Sequence, residues 1–238
     1  MSDVSSVLLK VAGLQGWYGE SHVLHGIDFE VRKGEVVTLL GRNGAGKTST
    51  LLAIMGILGK RTGSVTFKGT EIIGLQPRQI ARLGIAFCPE ERGIFSSLSV
   101  EENLTLPPRI AEGGLSIERI YDLFPNLHER RKSSQGSKLS GGEQQMLAIA
   151  RILRTGAKTL LLDEPTEGLA PVIVQQIGHT IAALKDEGFT IVLVEQNFRF
   201  AASVADRHYI VDQGKVVDMI PNDEVEANSE KLHNYLGV

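Results

Sequence analysis

Hydrophobic residues along the chain fall into two kinds of short pattern, separated by stretches with helical spacing. Val36-Val37-Thr38-Leu39-Leu40 leaves no polar face for water, as expected of a strand buried on both sides of a sheet. Ile85-Ala86-Phe87, Thr159-Leu160-Leu161-Leu162 and Thr190-Ile191-Val192-Leu193-Val194 repeat that pattern. Elsewhere apolar positions alternate: Val7, Leu9 and Val11, then Ile27, Phe29 and Val31, and, after a Thr62-Gly63 turn, Val65 and Phe67. These read as half-buried strands, with Trp17-Tyr18-Gly19 as a polar, glycine-bearing loop between the first two.

Helical spacing begins with Ser49 to Met55 and returns at Pro77, whose short helix through Ile80, Ala81 and Leu83 can end at a left-handed Gly84. Ser99 with Glu102 offers a capping box for the next helix, and Ser140 with Glu143 offers another. Pro171 opens a long amphipathic helix with Ile173, Val174, Ile177, Ile181 and Leu184 on one face and Gly188 as its stop. Two strands around the turn Asp212-Gln213-Gly214-Lys215 and a final amphipathic helix to Leu236 complete the chain. Residues from about 90 to 155 are polar, helical and poor in β-branched side chains, the pattern of a helical lobe inserted into an α/β core. One domain is expected over residues 1–238, with the core in 1–89 and 156–238.

Composition removes several alternatives. With 238 residues, 42% hydrophobic and 22% charged, the chain is an ordinary globular protein large enough for a substantial core. A formal net charge of -3 gives no general attraction to nucleic acid, and the basic cluster Arg130-Arg131-Lys132 reads as a solvated helix end. No stretch is apolar enough to span a membrane, and Met1 to Ser6 lacks the basic head and apolar core of a secretory signal, so a cytosolic location is expected. Cys88 is the only cysteine and reads as a small core residue in a reducing compartment.

The candidate chemistry centres on Gly41-Arg42-Asn43-Gly44-Ala45-Gly46-Lys47-Thr48, followed by Ser49. Glycine, four residues, glycine, lysine and a hydroxyl residue, between a buried strand and a helix, is the phosphate-loop pattern. Its glycines let backbone amides approach phosphates, Lys47 places a point charge on the β and γ phosphates, and the Thr48 hydroxyl ligates magnesium. Asp163 and Glu164 follow an all-apolar strand, so these carboxylates belong at its exposed carboxyl end, where ligands of open parallel sheets bind. Asp163 is the expected metal ligand and Glu164 the group that polarises the attacking water. Glu195-Gln196-Asn197 emerges at the end of another buried strand. Ser140, Gly141 and Gly142 at a helix start form either an anion-binding amide cluster or a plain cap. Tyr18 either caps the core edge or offers a flat face to a base.

The phosphate loop, then Leu139-Ser140-Gly141-Gly142-Glu143-Gln144-Gln145, then the leucine strand with Asp163-Glu164, resembles the ATP-binding cassette of ABC transporters over nearly the whole chain. The resemblance implies an α/β phosphate-loop nucleotidase core with a mixed sheet, an amino-terminal antiparallel β subdomain and an inserted helical lobe. It also implies ATP and Mg²⁺ as ligands, with ATP held in a head-to-tail dimer by Lys47 and Thr48 of one subunit and Ser140, Gly141, Gly142 and Gln144 of the other. Tyr18 falls where the family stacks adenine. Three positions depart from the family pattern. Glu90 stands where a metal-touching glutamine is usual, Gln196 where a histidine contacts the γ-phosphate, and Ala170 where a loop aspartate is usual. Glu90 can still ligate a metal, and Gln196 can donate a hydrogen bond but carries no charge.

Pro89 to Arg92, Val100 to Leu104 and Val194 to Asn197 narrow the resemblance to the ATPase subunit of bacterial branched-chain amino acid importers, with urea and short-amide importers as relatives. This implies permease subunits, a second homologous ATPase or a second copy, and a periplasmic binding protein as partners, and a place on the inner face of the cell membrane. A soluble cassette acting on nucleic acid is the alternative. It lacks the basic stripe and the long coiled coil or second cassette expected of it. A phosphate-loop kinase would leave Leu139 to Gln145 unexplained.

Overall fold

A computed structural model describes residues 7–131 and 135–236. Met1 to Ser6 and Lys132 of the basic cluster lie outside the described residues. The buried runs and the alternating runs sort into separate sheets. In the first sheet, β1 (Val7–Tyr18) lies between β2 (Ser21–Arg32) and β4 (Lys60–Phe67), with the two-residue β5 (Thr70–Glu71) at its edge, all antiparallel. Leu9, Val11, Ile27, Phe29, Val31, Val65 and Phe67 all point into one core.

Two loop expectations fail here. Trp17 and Tyr18 belong to β1, which runs to Tyr18 and pairs it with Ser21 across a tight turn at Gly19. Trp17 stacks on His22, with ring centroids 4.3 Å apart, and lies under the Lys60 ammonium, so cross-strand packing holds the segment extended. Thr62-Gly63 is not a turn either. β4 passes straight through it, and Gly63 at φ 103° sits where a Cβ would be 2.5 Å from the Gly13 carbonyl, beside a register shift between Ala12 and Gln15. The glycine serves a bulge in a continuous strand.

The second sheet has six strands, in the order β10 (Lys215–Pro221), β9 (Arg207–Asp212), β3 (Val36–Leu40), β8 (Thr190–Glu195), β7 (Thr159–Asp163) and β6 (Ile85–Cys88). β9, β3, β8, β7 and β6 are parallel and β10 is antiparallel, giving the expected mixed sheet. Every residue of β3, β7 and β8 is buried, which explains their unbroken apolar runs. The sheet is packed on one side by α1 (Lys47–Ile54) with the first sheet, and on the other by α7 (Pro171–Asp186) and α6 (Gly141–Leu153).

Between β6 and β7 the chain forms α3 (Val100–Thr105), α4 (Ile117–Leu123), α5 (Pro125–Arg130) and α6. Ser99–Glu102 and Ser140–Glu143 make reciprocal capping boxes at the starts of α3 and α6. α2 (Pro77–Arg82) begins at its proline, and Gly84 follows it at φ 102°. In α7, Ile177, Ile181 and Leu184 are buried, while Ile173 and Val174 are only half-buried at the amino end. α8 (Phe198–Val204) went unpredicted; Asn197 caps it by accepting from Phe200 N–H at 3.2 Å. α9 (Ser229–Leu236) closes the chain through Leu232. Cys88 is a core residue whose thiol is pushed up to about 12 by burial, so it is inert as a nucleophile.

A polar tie crosses the second sheet under α8. His208 of β9 is fully buried; Nδ1 lies 2.7 Å from Thr38 Oγ1 and Nε2 2.9 Å from Asn222 Oδ1. With an amide oxygen facing it, Nε2 carries the proton and Nδ1 accepts from the threonine hydroxyl. Burial holds the imidazole below its ordinary 6.5, with the Asn222 bond opposing. The unfolded chain therefore takes up a proton near pH 6.5 that the folded chain refuses, so the tie's stability is complete above pH 6.5 and drains as pH falls. His208→Gln is expected to cost about 1–3 kcal/mol at pH 7.5. Thermal melts of both proteins should show that gap narrowing by pH 5.5; a gap independent of pH would refute the neutral buried imidazole.

Candidate active site

Polar segments gather where β3, β7 and β8 end. β3 delivers the chain to the phosphate loop, and its first glycine has no room for a side chain: a Cβ on Gly41 would lie 2.2 Å from the Val211 carbonyl. Gly44 and Gly46 turn the loop at φ 80° and 106°, conformations that disfavour any residue with a Cβ, and α1 starts at Lys47. Gly46 caps the helix, its carbonyl accepting from Thr50 N–H at 2.9 Å and the Thr50 hydroxyl at 2.8 Å.

The Lys47 side chain is 4% exposed and its charge is satisfied at short range. Nζ donates to the carbonyls of Gly41 at 2.9 Å and Arg42 at 3.2 Å and lies 3.4 Å from Glu164 Oε1. Glu164 itself stands at φ 44°, with its N–H donating to the Val194 carbonyl at 3.0 Å. A left-handed glutamate outside a glycine turn is a strained residue held by its neighbours. Its other oxygen, Oε2, accepts from Gln196 Nε2 at 2.7 Å. The adjacent Thr48 hydroxyl donates to Asp163 Oδ1 at 3.1 Å. Burial pushes Asp163 up to about 6, with the Thr48 bond opposing and the Glu164 and Glu90 charges adding to the rise.

These groups face a cavity of about 460 Å³ lined by residues 43–49 of the loop and helix start, with Val23, Glu90, Glu164, Glu167 and Gln196. Sequence patterns gave no signal for Glu167, because only the fold brings it to the cavity. Burial raises its carboxyl, and proximity to Glu164 and Glu90 raises it further. Glu195 was visible only as a polar group at a strand end, whereas in the fold it is the anchor of the turn after β7. It accepts from the Thr166 hydroxyl at 2.7 Å, Thr166 N–H at 3.3 Å, and the N–H groups of Gln196 and Asn197 at 3.2 Å each. Burial pushes it up to about 6, with the Thr166 and Asn197 bonds opposing and the Glu164 charge adding to the rise.

Tyr18 is 49% exposed beside the site, its hydroxyl 3.4 Å from Ser49 Oγ, and does not line the cavity. Gly41 and Arg42 contribute carbonyls beneath the loop rather than lining groups. Ser140, Gly141, Gly142 and Gln144 do not line this cavity. Ser140 Oγ caps α6 by accepting from Glu143 N–H at 3.3 Å, and a Cβ on Gly142 would lie 2.8 Å from Ile173 of α7. Gln144 accepts from Arg92 Nη1 at 3.2 Å and donates to the Leu139 carbonyl at 3.1 Å. Ala170 stands at the N-cap of α7, where its methyl group offers no side-chain cap.

The oxygen chemistry fits a magnesium ion. Thr48 and Asp163 present adjacent hard oxygens, and Glu90 lines the same cavity. Among the described residues no group of three or more His, Cys, Asp or Glu could hold a metal alone. An ion here would have to complete its shell from phosphate oxygens and water, as magnesium does in nucleotide sites.

Comparison with known proteins agrees with this geometry. The profile of the family described as ABC transporter matches residues 24–167. The chain is 43% identical over 233 residues to a high-affinity branched-chain amino acid transport ATP-binding protein, BraG, of Pseudomonas aeruginosa, covering 97% of this chain and all of that one. It is 36% identical to the lipopolysaccharide export system ATP-binding protein LptB of Escherichia coli, covering 96% and 97%. Among solved structures, a nucleotide-free ATP-binding cassette from an ABC transporter superposes with a TM-score of 0.81 at 22% identity, covering 98% and 99%. The dimeric bacterial cassette MJ0796 gives 0.77 at 27% identity, covering 90% and 99%. The chain therefore belongs to the ABC transporter family, as an ATP-binding cassette with ATPase activity.

Proposed function

We propose that the chain is the ATP-hydrolysing subunit of a membrane importer for branched-chain amino acids or related small amino acids, amides or urea. The observation that carries the hydrolytic part is the placement of Glu164, whose carboxylate is gripped by Lys47 on one oxygen and Gln196 on the other. The amino-acid part is supported by the 43% identity, end to end, with a relative named for that transport. The lower identity to a lipopolysaccharide export cassette fits a cassette chemistry shared between transporters whose cargo is bound by other chains.

In this reading the amides of Gly44 to Thr48 and the amino end of α1 receive the β and γ phosphates, and Tyr18 stacks on the base. Lys47 supplies a fixed positive charge to the bridging region. Thr48 and Asp163, with Glu90 at the edge, are the residues that would hold magnesium, which supplies charge neutralisation across the phosphates when bound. Glu164 takes the proton of the attacking water. Gln196 keeps Glu164 turned toward the cavity through its 2.7 Å bond and can donate to the γ-phosphate, without the positive charge of a histidine. That Ser140, Gly141, Gly142 and Gln144 are not among the lining of the cavity supports a head-to-tail dimer, with a second copy or a homologous ATPase, in which these groups close on the partner's nucleotide. The Glu90 loop and the helical lobe, where Phe95 and Leu106 are 45% and 52% exposed, face permease subunits on the inner side of the membrane, with a periplasmic binding protein beyond them. No helix among the described residues is long and apolar enough to cross a membrane. Nucleic acid is not a partner in this reading.

Glu164→Gln is expected to lower the hydrolysis rate by about 10²–10⁴ and to accumulate ATP-stabilised dimers visible by size-exclusion chromatography. Steady-state turnover equal to wild type would remove Glu164 from the role of base. Gln196→Ala should lower kcat about tenfold while changing ATP affinity less than threefold, because its bond orients the base rather than the nucleotide. Equal hydrolysis by the two proteins would reject that role. Lys47→Ala should abolish tight ATP binding in a direct titration, and retained affinity would overturn the phosphate assignment. Isolation of the native complex should recover permeases and an amino-acid binding protein; salt-sensitive capture of DNA or RNA instead would favour the nucleic-acid alternative.

A further inference from the structure

The phosphate loop is braced from behind by a hairpin that its own motif does not include. The Val211 carbonyl, near the end of β9, packs against Gly41 so closely that no Cβ fits. After β9 the chain turns through Gln213 and Gly214 at φ 46° and 73°. Gly214 N–H donates to the Ala45 carbonyl at 2.8 Å, and the Gly214 carbonyl accepts from His25 N–H of β2 at 2.8 Å. A Cβ on Gly46 would lie 3.3 Å from Gly214 Cα. The turn therefore touches the phosphate loop and β2 together.

Peptide planarity gives this contact a direction. The Ala45 carbonyl and the Gly46 N–H belong to one planar trans unit and point in opposite senses. Drawing the carbonyl back onto Gly214 turns the Gly46 N–H away from the hairpin, and Gly46 is one of the residues lining the cavity. Gly214 does not line it, but Val23 does, and the Val23 carbonyl would be 2.4 Å from a Cβ on Gly214. A hairpin glycine chosen only for its positive φ would not need that empty space. Any larger residue meets backbone on β2, so the turn must lift and the bond to Ala45 must lengthen.

We propose that Gly214 is a positioning residue of the nucleotide site: its N–H, acting through the Ala45 carbonyl, aims the Gly46 N–H into the phosphate cavity and ties that aim to β2 beside Val23. The inference rests on the reading of residues 41–48 as the nucleotide cradle. It requires that phosphate binding and the Gly214 bond support each other, because a phosphate on the Gly46 N–H resists the peptide rotation that opening the Gly214 bond would cause.

Hydrogen exchange of the wild-type chain tests this without any substitution. Saturating ADP with magnesium is expected to slow exchange at the Gly214 amide by at least about fivefold, in parallel with the amides of residues 45–48, although Gly214 is outside the cavity. Slowed loop amides with an unchanged Gly214 amide overturn the proposal. No slowing anywhere, with no heat of ADP binding, overturns instead the nucleotide reading on which it rests. In calorimetric titration Gly214→Ala should raise the ADP Kd about tenfold, the effect of one hydrogen bond, with stoichiometry remaining near one. A merely structural defect lowers the number of sites and leaves Kd unchanged, and that outcome also overturns the proposal. Gly34→Ala imposes the same left-handed strain, at φ 78° with open space around its Cβ, in a turn away from the phosphate loop, and is expected to keep the wild-type Kd.

Discussion

A single buried ammonium sets the terms for the centre of this protein. Lys47 is removed from water, and an isolated charge in that position would cost many kcal/mol unless it were paired and hydrogen-bonded. The chain answers with two backbone carbonyls from its own loop and one carboxylate from β7's end. Those partners come from different strands, so the sheet must hold its register for the charge to be satisfied. Leu40 pairs with Glu195 and Asp163 with Val194, which places Gly41, Glu164 and Gln196 together as the chain leaves the three strands. A slip of one residue in β7 or β8 would turn a carboxylate into the apolar core and an apolar side chain toward the cavity. The full burial of β3, β7 and β8 is thus also the device that fixes the site.

How far the sequence could be read depended on the range of the interaction. The loop at 41–48 between a buried strand and a helix, the pair Asp163-Glu164 at a strand's carboxyl end and the capping boxes at Ser99 and Ser140 are local devices, complete within a few residues, and the structure places each where its pattern implied. Trp17-Tyr18 and Thr62-Gly63 looked like loops because aromatics beside a glycine, and threonine beside a glycine, are locally turn-like. Stacking on His22 and pairing of β4 along β1 override that preference. Glu167 and Glu195 were beyond local reading for the same reason. Nothing near Glu195 in sequence announces Thr166, which is 29 residues away, yet the bond between them holds the turn that carries Glu164.

The glycines around Ser140 show where a functional and a structural reading coincide. Gly142 is required to be small by Ile173, so α6 and α7 would need a glycine there even without a ligand. Ser140 is likewise used as a cap, but the cap consumes only a lone pair, since Glu143 N–H donates to it. Its hydroxyl proton remains a donor. The same serine can therefore terminate the helix's unsatisfied amides and still offer a hydrogen bond outward, and the exposed surface at Ser140 leaves that donor open to a second subunit.

The departures from the family pattern act on the charge of the cavity. Three of the lining side chains, Glu90, Glu164 and Glu167, are carboxylates and one, Lys47, is an ammonium, with Asp163 adjoining. A polyphosphate entering this space meets an excess of negative charge that a glutamine at position 90 and a histidine at position 196 would have reduced. With Lys47 already paired to Glu164, most of any attraction would have to come from groups that carry no formal charge, the loop amides and the amino end of α1, and from a divalent cation between phosphate and carboxylate. The aim of each amide then matters more than it would in a cavity rich in arginine or lysine. That places the stability of the loop's backbone geometry, braced by Val211, Gly214 and β2, on the same footing as the identity of its lysine.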